Sequence, residues 1–181
     1  MVPFKVKSQS RGISLVEVVL MLALALVLGA ALIPRVLNSR IEANEAAAIA
    51  NVDVITSAQE SYKTAYPRIG YADSLGALAL ICGERNCKPT PEHACLIDCN
   101  LPKATRQAKD GYFYQLGADG LPGQASHTRY GIGAIAAILH RTGDHDYCAT
   151  EDARIRYREP KVASGPGSLD RAACATLPVM P

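Results

Sequence analysis

Tryptophan is absent from the 181-residue chain, phenylalanine occurs twice, and aromatic residues make up only 6% of the sequence. These counts argue against a large aromatic core, because aromatic side chains supply much of the buried area in such cores. The formal net charge is only +2. A chain this close to neutrality has no strong attraction for a phosphate backbone, so nucleic acid is not expected as a partner. The length allows one ordinary domain plus an appendage.

Short motifs of common enzyme chemistry are also missing: there is no G-x-S-x-G, P-loop, H-E-x-x-H or Rossmann fingerprint. The run Asp144-His145-Asp146, with His140 upstream, is better interpreted as exposed charge in a turn-rich segment than as an acid–base or metal cluster. Acids at Asp119 and in residues 144–152 are sufficient for a calcium loop, but they lack the EF-hand spacing. We expect no catalytic residue, no resident metal and no cofactor, and therefore no enzyme.

Polar side chains are missing from one long stretch near the N-terminus. Residues 18–33 contain none, and the apolar stretch reaches back to Ile13 with only Ser14 and Glu17 as interruptions. A helix over these 21 residues would be about 31 Å long, which matches the hydrocarbon core of a bilayer. We therefore predict a transmembrane helix over residues 13–34, with residues 1–12 in the cytoplasm. A cleaved secretory signal ending near Ala30 and a plain uncleaved anchor are the alternatives.

Glu17 is the informative residue in this stretch. A carboxylate inside an apolar span costs about 2.5–3.5 kcal/mol near the helix centre, and less near the interface. A helix that serves only as a membrane anchor does not need a carboxylate at this position. Cleavage after Gly12 would create a cation, the α-ammonium of Ile13, four residues from Glu17 on the same helix face. The pair could form within one helix or between neighbouring subunits.

Residues 11–17, RGISLVE, resemble the class III signal of type IV pilins and of the pseudopilins of type II secretion. The resemblance implies that a prepilin peptidase cuts between Gly12 and Ile13 and methylates the new amine. Ile13 departs from the Phe or Met that usually begins the mature chain. Pro34 lies near the end of the apolar stretch, as a proline often does in this family.

The helix is predicted to continue beyond Pro34, which should kink it without ending it. Residues 35–66 are rich in Ala, Glu and Gln, and they form an amphipathic half that ends near Tyr66 because Pro67 follows. One helical stripe of apolar residues should pack on the protein's own sheet. Its members are Ile41, Ala48, Val52, Ile55, Tyr62 and Tyr66.

The remaining chain is predicted to form a head over residues 67–158 and an irregular tail over residues 159–181. The head should contain a short helix within residues 72–81 and a cysteine-rich loop. Strands are predicted at residues 112–116, 130–135, 146–149 and 154–157, with a turn at residues 117–120 after the first. The expected fold is α+β, a pilin fold in which a long kinked helix packs on a three- or four-stranded antiparallel sheet. Short segments of the head are loosely similar to some soil-bacterial (acidobacterial-type) pilins: residues 96–98, 110–112, 142–148 and 155–157.

All six cysteines follow the apolar stretch: Cys82, Cys87, Cys95, Cys99, Cys148 and Cys174. An even count beyond a membrane favours disulfides. Zinc fits poorly, because structural zinc sites usually begin from tighter C-x2-C pairs; free thiols are a further alternative. Connectivity is not fixed by the sequence. The preferred pairing joins the first four cysteines within the loop and ties the tail through Cys148–Cys174.

The pilin resemblance implies a structural subunit of a type IV pilus-like filament. The chain would insert in the inner membrane as a single-pass protein with a periplasmic head, contacting lipid before assembly. An assembly platform with an ATPase would then extract it into a filament of identical subunits, either an extracellular pilus or a periplasmic pseudopilus. Glu17 would pair with Ile13 of an adjacent subunit, and Gly29 and Pro34 would allow local unwinding. The alternatives are a type II secretion pseudopilin and a monomeric membrane-anchored periplasmic binding domain.

Overall fold

The computed structural model describes residues 14–84, 86–120, 126–162 and 169–181, without the side chains of residues 29–34. The chain forms two compact units, Met1–Asn38 and Ser39–Pro181. We call the first the N-terminal unit. From here on, the head means the whole second unit, which includes the predicted head, the predicted tail and the part of the long helix from Ser39 onward.

The longest element is helix α1, Leu15–Ala65. Its second half contains no Gly or Pro and many good helix formers, which explains its regularity. It ends one residue before Tyr66, whose α conformation is disfavoured by Pro67. Pro34 lies inside the helix, and the predicted kink stays a prediction.

The predicted transmembrane half of this helix is wrong. None of the helices among the described residues combines the length and the hydropathy needed to span a bilayer. The predicted fold class is therefore wrong in its transmembrane-then-amphipathic helix. The predicted single-pass inner-membrane location is wrong for the same reason.

The head is α+β and contains a four-stranded antiparallel sheet with strand order β1-β2-β3-β4. The strands are β1 Tyr112–Asp119, β2 Arg129–Ala136, β3 Asp146–Thr150 and β4 Arg156–Arg158. Two short helices, α2 Leu75–Leu78 and α3 Arg171–Ala175, and a 3-10 helix, Leu101–Thr105, complete it. Each strand therefore pairs with its neighbour in the sequence.

Two local predictions about the head are wrong. The turn predicted at residues 117–120 is mostly strand, because β1 continues to Asp119, which pairs with Arg129 in the ladder and accepts a hydrogen bond from its guanidinium at 2.8 Å. The tail predicted as irregular contains α3. Asp170 caps this helix by accepting a hydrogen bond from the Ala173 amide at 2.8 Å.

The main core lies between the head part of α1 and one face of the sheet. Alternate residues of β1 and β2 point to this face, among them Tyr112, Tyr114 and Tyr130, which are all fully buried. Six of the eight tyrosines are buried, so the expectation of little aromatic core is wrong: tyrosine replaces the missing tryptophan and phenylalanine. Hydroxyl groups at the edge of the core find partners, as when Asn51 donates to the Tyr114 hydroxyl at 3.0 Å.

A second, smaller core lies on the opposite face of the sheet. It is formed by Ile135, Cys148, Leu169 and Cys174. A Cβ atom on Gly133 would lie 2.8 Å from the Leu169 carbonyl oxygen, so this strand position must be glycine for the tail to lie so close. The sheet is therefore covered on both faces.

Candidate functional site

The most unusual surface of the protein is the apolar part of α1 in the N-terminal unit. Eleven large apolar side chains between Leu15 and Leu28 are 53–82% exposed. They follow one another along the helix and so cover all of its sides. We call them the apolar surface: Leu15, Val16, Val18, Val19, Leu20, Met21, Leu22, Leu24, Leu26, Val27 and Leu28. A helix that is apolar all round is normally buried, and an exposed patch of this size marks an interaction site.

Glu17 is the one charged residue within residues 14–28. It lies in the first turn of α1 as described, where the helix dipole stabilises a carboxylate by about 0.3–1 kcal/mol. Within the described residues its carboxylate makes no ion pair or hydrogen bond. A shallow groove beside it is lined by Val18, Met21, Leu22 and Ala25. The dipole explains an exposed Glu17, but it is too weak to offset the cost of burying an unpaired carboxylate in an apolar interface.

The other residues predicted for processing and assembly are only partly described. Gly12 and Ile13 lie outside the described residues. Gly29 and Pro34 belong to the helical backbone of α1, but their side-chain environment lies outside the described part of the structure. The predicted roles of all four stay predictions.

Disulfide bonding is confirmed. Cys82 bonds to Cys99, Cys87 to Cys95, and Cys148 to Cys174, with Cα–Cα distances of 5.2, 6.1 and 5.9 Å. The first four cysteines therefore pair within the loop and the last two tie α3 to β3, which matches the preferred pairing. Since no thiol remains free among the six, the zinc and free-thiol alternatives are wrong. Disulfides are typical of an oxidising compartment.

Two acids within residues 144–152 are held by arginines in the folded head. Asp146 is 1% exposed. It accepts hydrogen bonds from the Ala136 amide at 3.0 Å and from the Arg158 Nε and Nη2 atoms at 3.0 and 2.9 Å. Asp152 is held by the guanidinium of Arg156, whose hydrogen bond places the pKa of this carboxyl well below its usual value. The interpretation as exposed charge is therefore wrong for Asp146.

His145 and Glu45 form a contact that no pattern in the sequence predicts. The Glu45 Oε1 atom accepts hydrogen bonds from the Asp144 and His145 amides at 2.8 and 3.1 Å, and from His145 Nδ1 at 2.9 Å. Burial lowers the pKa of His145, but Glu45 and the nearby Glu159 outweigh that effect and raise it. No local signal could have revealed this pair, because its members are 100 residues apart.

Acidic and metal-ligating side chains do not gather into a metal centre in the described part of the chain, where no group of three or more His, Cys, Asp or Glu is placed to hold an ion. Several candidate calcium ligands face arginines instead. Asp119 pairs with Arg129 at 2.8 Å, and Glu151 pairs with Arg171. The apolar surface is thus the feature of the described residues that most clearly requires a partner.

Comparison of the chain with protein-family models, curated proteins and solved structures gives no match. The resemblance of residues 11–17 to pilin signals therefore stays a prediction.

Proposed function

We propose that this protein is a structural subunit of a type IV pilus-like filament and that it polymerises through the apolar surface of α1. The observation that carries the proposal is the exposure of apolar side chains on every side of the helix from Leu15 to Leu28. One flat partner would cover only one side of such a helix. A bundle of identical helices covers all sides, and contacts that repeat head to tail without closing produce an open filament.

The leader motif supports the same proposal. A cut between Gly12 and Ile13 by a prepilin peptidase would place an α-ammonium four residues from Glu17. In a bundle of copies this cation would compensate the carboxylate as both leave water. The same residues also fit a pseudopilin of type II secretion, which is the subunit of a shorter filament built on the same principle.

The construction of the head suits a filament subunit that stays folded on a cell surface or in the periplasm. Two disulfides lie nested within residues 82–99, and a third fixes α3 to the sheet. Each such crosslink typically stabilises a domain by about 2–4 kcal/mol. The head part of α1 is anchored through Gln59, which is fully buried and exchanges two hydrogen bonds of 2.8 Å with the backbone of Ala72.

The test compares charges placed at two exposed apolar positions of the same helix. Leu24, on the apolar surface, is 59% exposed, and Val54, on the outer side of the head part of α1, is 48% exposed. Leu24→Lys should remove the chain from fibres sheared off the cells that produce it, because assembly would bury the added charge. Val54→Lys should leave the amount of chain in the fibres unchanged.

The three disulfides, checked by mass on non-reduced peptides, report that the head of each variant is folded. Equal amounts of both variants in the fibre fraction would contradict polymerisation through the apolar surface. Absence of the unchanged chain from every fibre fraction would contradict the filament function itself.

A further inference from the structure

Glu17 and Arg35 are the acid and the base of the N-terminal unit that the structure describes, and both are exposed. They are 18 residues apart in α1, which is five full turns at 3.6 residues per turn. In a regular helix both side chains would therefore project from the same side, about 27 Å apart along its axis.

The side of the helix between these charges is apolar. Met21, Leu24 and Leu28 lie four, seven and eleven residues after Glu17, so they fall within about 40° of it at 100° per residue. All three are more than half exposed. We call this the charge-ended face: Glu17, Met21, Leu24, Leu28 and Arg35.

Within the described residues neither Glu17 nor Arg35 has an ion-pair partner, and they are too far apart to reach each other in one chain. A parallel copy shifted by about 27 Å along the helix brings its Arg35 next to Glu17 of the first copy. Its own Glu17 is then open to the Arg35 of a third copy. The contact is head to tail, so it repeats without closing, as a filament requires.

We propose that the charge-ended face docks a second copy of this chain through an ion pair between Glu17 of one subunit and Arg35 of the next. The inference rests on the filament function proposed above and adds the longitudinal stagger between subunits. The carboxylate has two oxygens with about four acceptor sites, so it accepts the Arg35 guanidinium of one neighbour together with the Ile13 ammonium of another.

Arg40 provides the matched control. It is also an exposed arginine of α1, but its separation of 23 residues from Glu17 is not a whole number of turns. Arg35→Gln should lower the amount of chain in sheared fibres by at least about tenfold, because it removes one of the two cations that face Glu17 in an apolar interface. Arg35→Lys should retain most of the assembly, and Arg40→Gln should behave like the unchanged chain.

Charge reversal tests the pair directly. Arg35→Glu should abolish incorporation into fibres, because a second carboxylate would then face Glu17 across the contact. The inference is overturned if Arg35→Gln assembles as well as Arg40→Gln, or if Arg35→Glu is trimmed after Gly12 and still enters the fibres. In both cases the filament function stands, since it depends only on the unchanged chain being present in fibres; if that chain is absent, both proposals fail together.

Discussion

A single carboxylate oxygen of Glu45 holds the loop between β2 and β3 against α1. It accepts two backbone amides and the imidazole of His145, while the Tyr112 hydroxyl donates to the His145 carbonyl at 2.8 Å. Asn44 adds a hydrogen bond to the Thr142 carbonyl at 3.0 Å. The loop is therefore fixed by polar contacts that originate from one turn of the helix.

This arrangement makes part of the head's stability depend on pH. The pKa of His145 in the folded chain lies above its usual value near 6.5, so the charged pair contributes fully below about pH 6.5 and is lost as the pH rises through the folded pKa. Between about pH 5.5 and pH 8.5, the unchanged chain should lose about 0.5–1 kcal/mol of unfolding free energy relative to His145→Gln. Urea unfolding across this range measures the difference, and parallel pH profiles of the two chains would refute the pair.

Gly143 permits the same loop to lie on the Tyr112 side chain. A Cβ atom at Gly143 would lie 1.9 Å from the Tyr112 hydroxyl oxygen, whereas a Cβ at Gly117 has no atom within 4 Å. Gly143→Ala should therefore lower the free energy of unfolding by about 1–3 kcal/mol, and Gly117→Ala should leave it nearly unchanged. Equal unfolding midpoints for the two variants in denaturant would contradict this account of the loop.

At the residue scale, the sequence shows which side chains are charged, but it does not predict which partners they contact in the fold. Asp144-His145-Asp146 was interpreted as exposed charge, yet Asp146 is buried because Arg158 and the Ala136 amide reach it from neighbouring strands. Those partners become visible only once the sheet is assembled. Periodicity along the chain contains no information about them.

Among the elements, α3 depends most on distant parts of the chain. It has only five residues, too few to be stable as a helix by itself. It is fixed by Cys174, which bonds to Cys148 of β3, and by Arg171, which pairs with Glu151. Burial raises the pKa of Glu151, but the Arg171 guanidinium outweighs that effect and leaves it lowered. The element is thus held by a covalent bond and an ion pair to the sheet.

Removal of the Cys148–Cys174 disulfide should therefore be more costly than removal of Cys87–Cys95. The two bonds close loops with sequence separations of 26 and 8 residues, for which chain entropy gives about 3.5 and 2.5 kcal/mol. Loss of packing around α3 should widen that difference. Denaturant unfolding of the paired Cys→Ala variants measures both values, and an equal or larger loss for Cys87–Cys95 would contradict the role assigned to the tail.

At the element scale, local patterns predicted α1 and the strands, while nonlocal contacts decided the rest. The apolar stripe placed Ala48, Val52, Ile55 and Tyr62 in the core, and all four are buried. The tail was expected to be irregular because it is rich in proline and glycine. The position of α3 instead depends on a disulfide and on the close approach that Gly131 and Gly133 allow. The sequence shows the positions of these glycines and cysteines, but local patterns do not predict the strand register that brings them close to α3.

At the scale of the whole molecule, the two units have different physical requirements. The head buries its apolar residues in two cores and crosslinks itself three times. The N-terminal unit leaves its apolar side chains exposed from Leu15 to Leu28. One unit therefore buries its own apolar residues, while the other needs neighbouring molecules to bury them. This difference suits a subunit that packs against identical copies, and it is the basis of the filament proposal.

The most direct test of this proposal is the mass of the polypeptide in fibres sheared from the cells that produce it. The account predicts that these fibres contain the chain without residues 1–12, beginning at an N-methylated Ile13 and retaining Glu17. A full-length chain, a chain cut near Ala30, or fibres from which the protein is missing would contradict it.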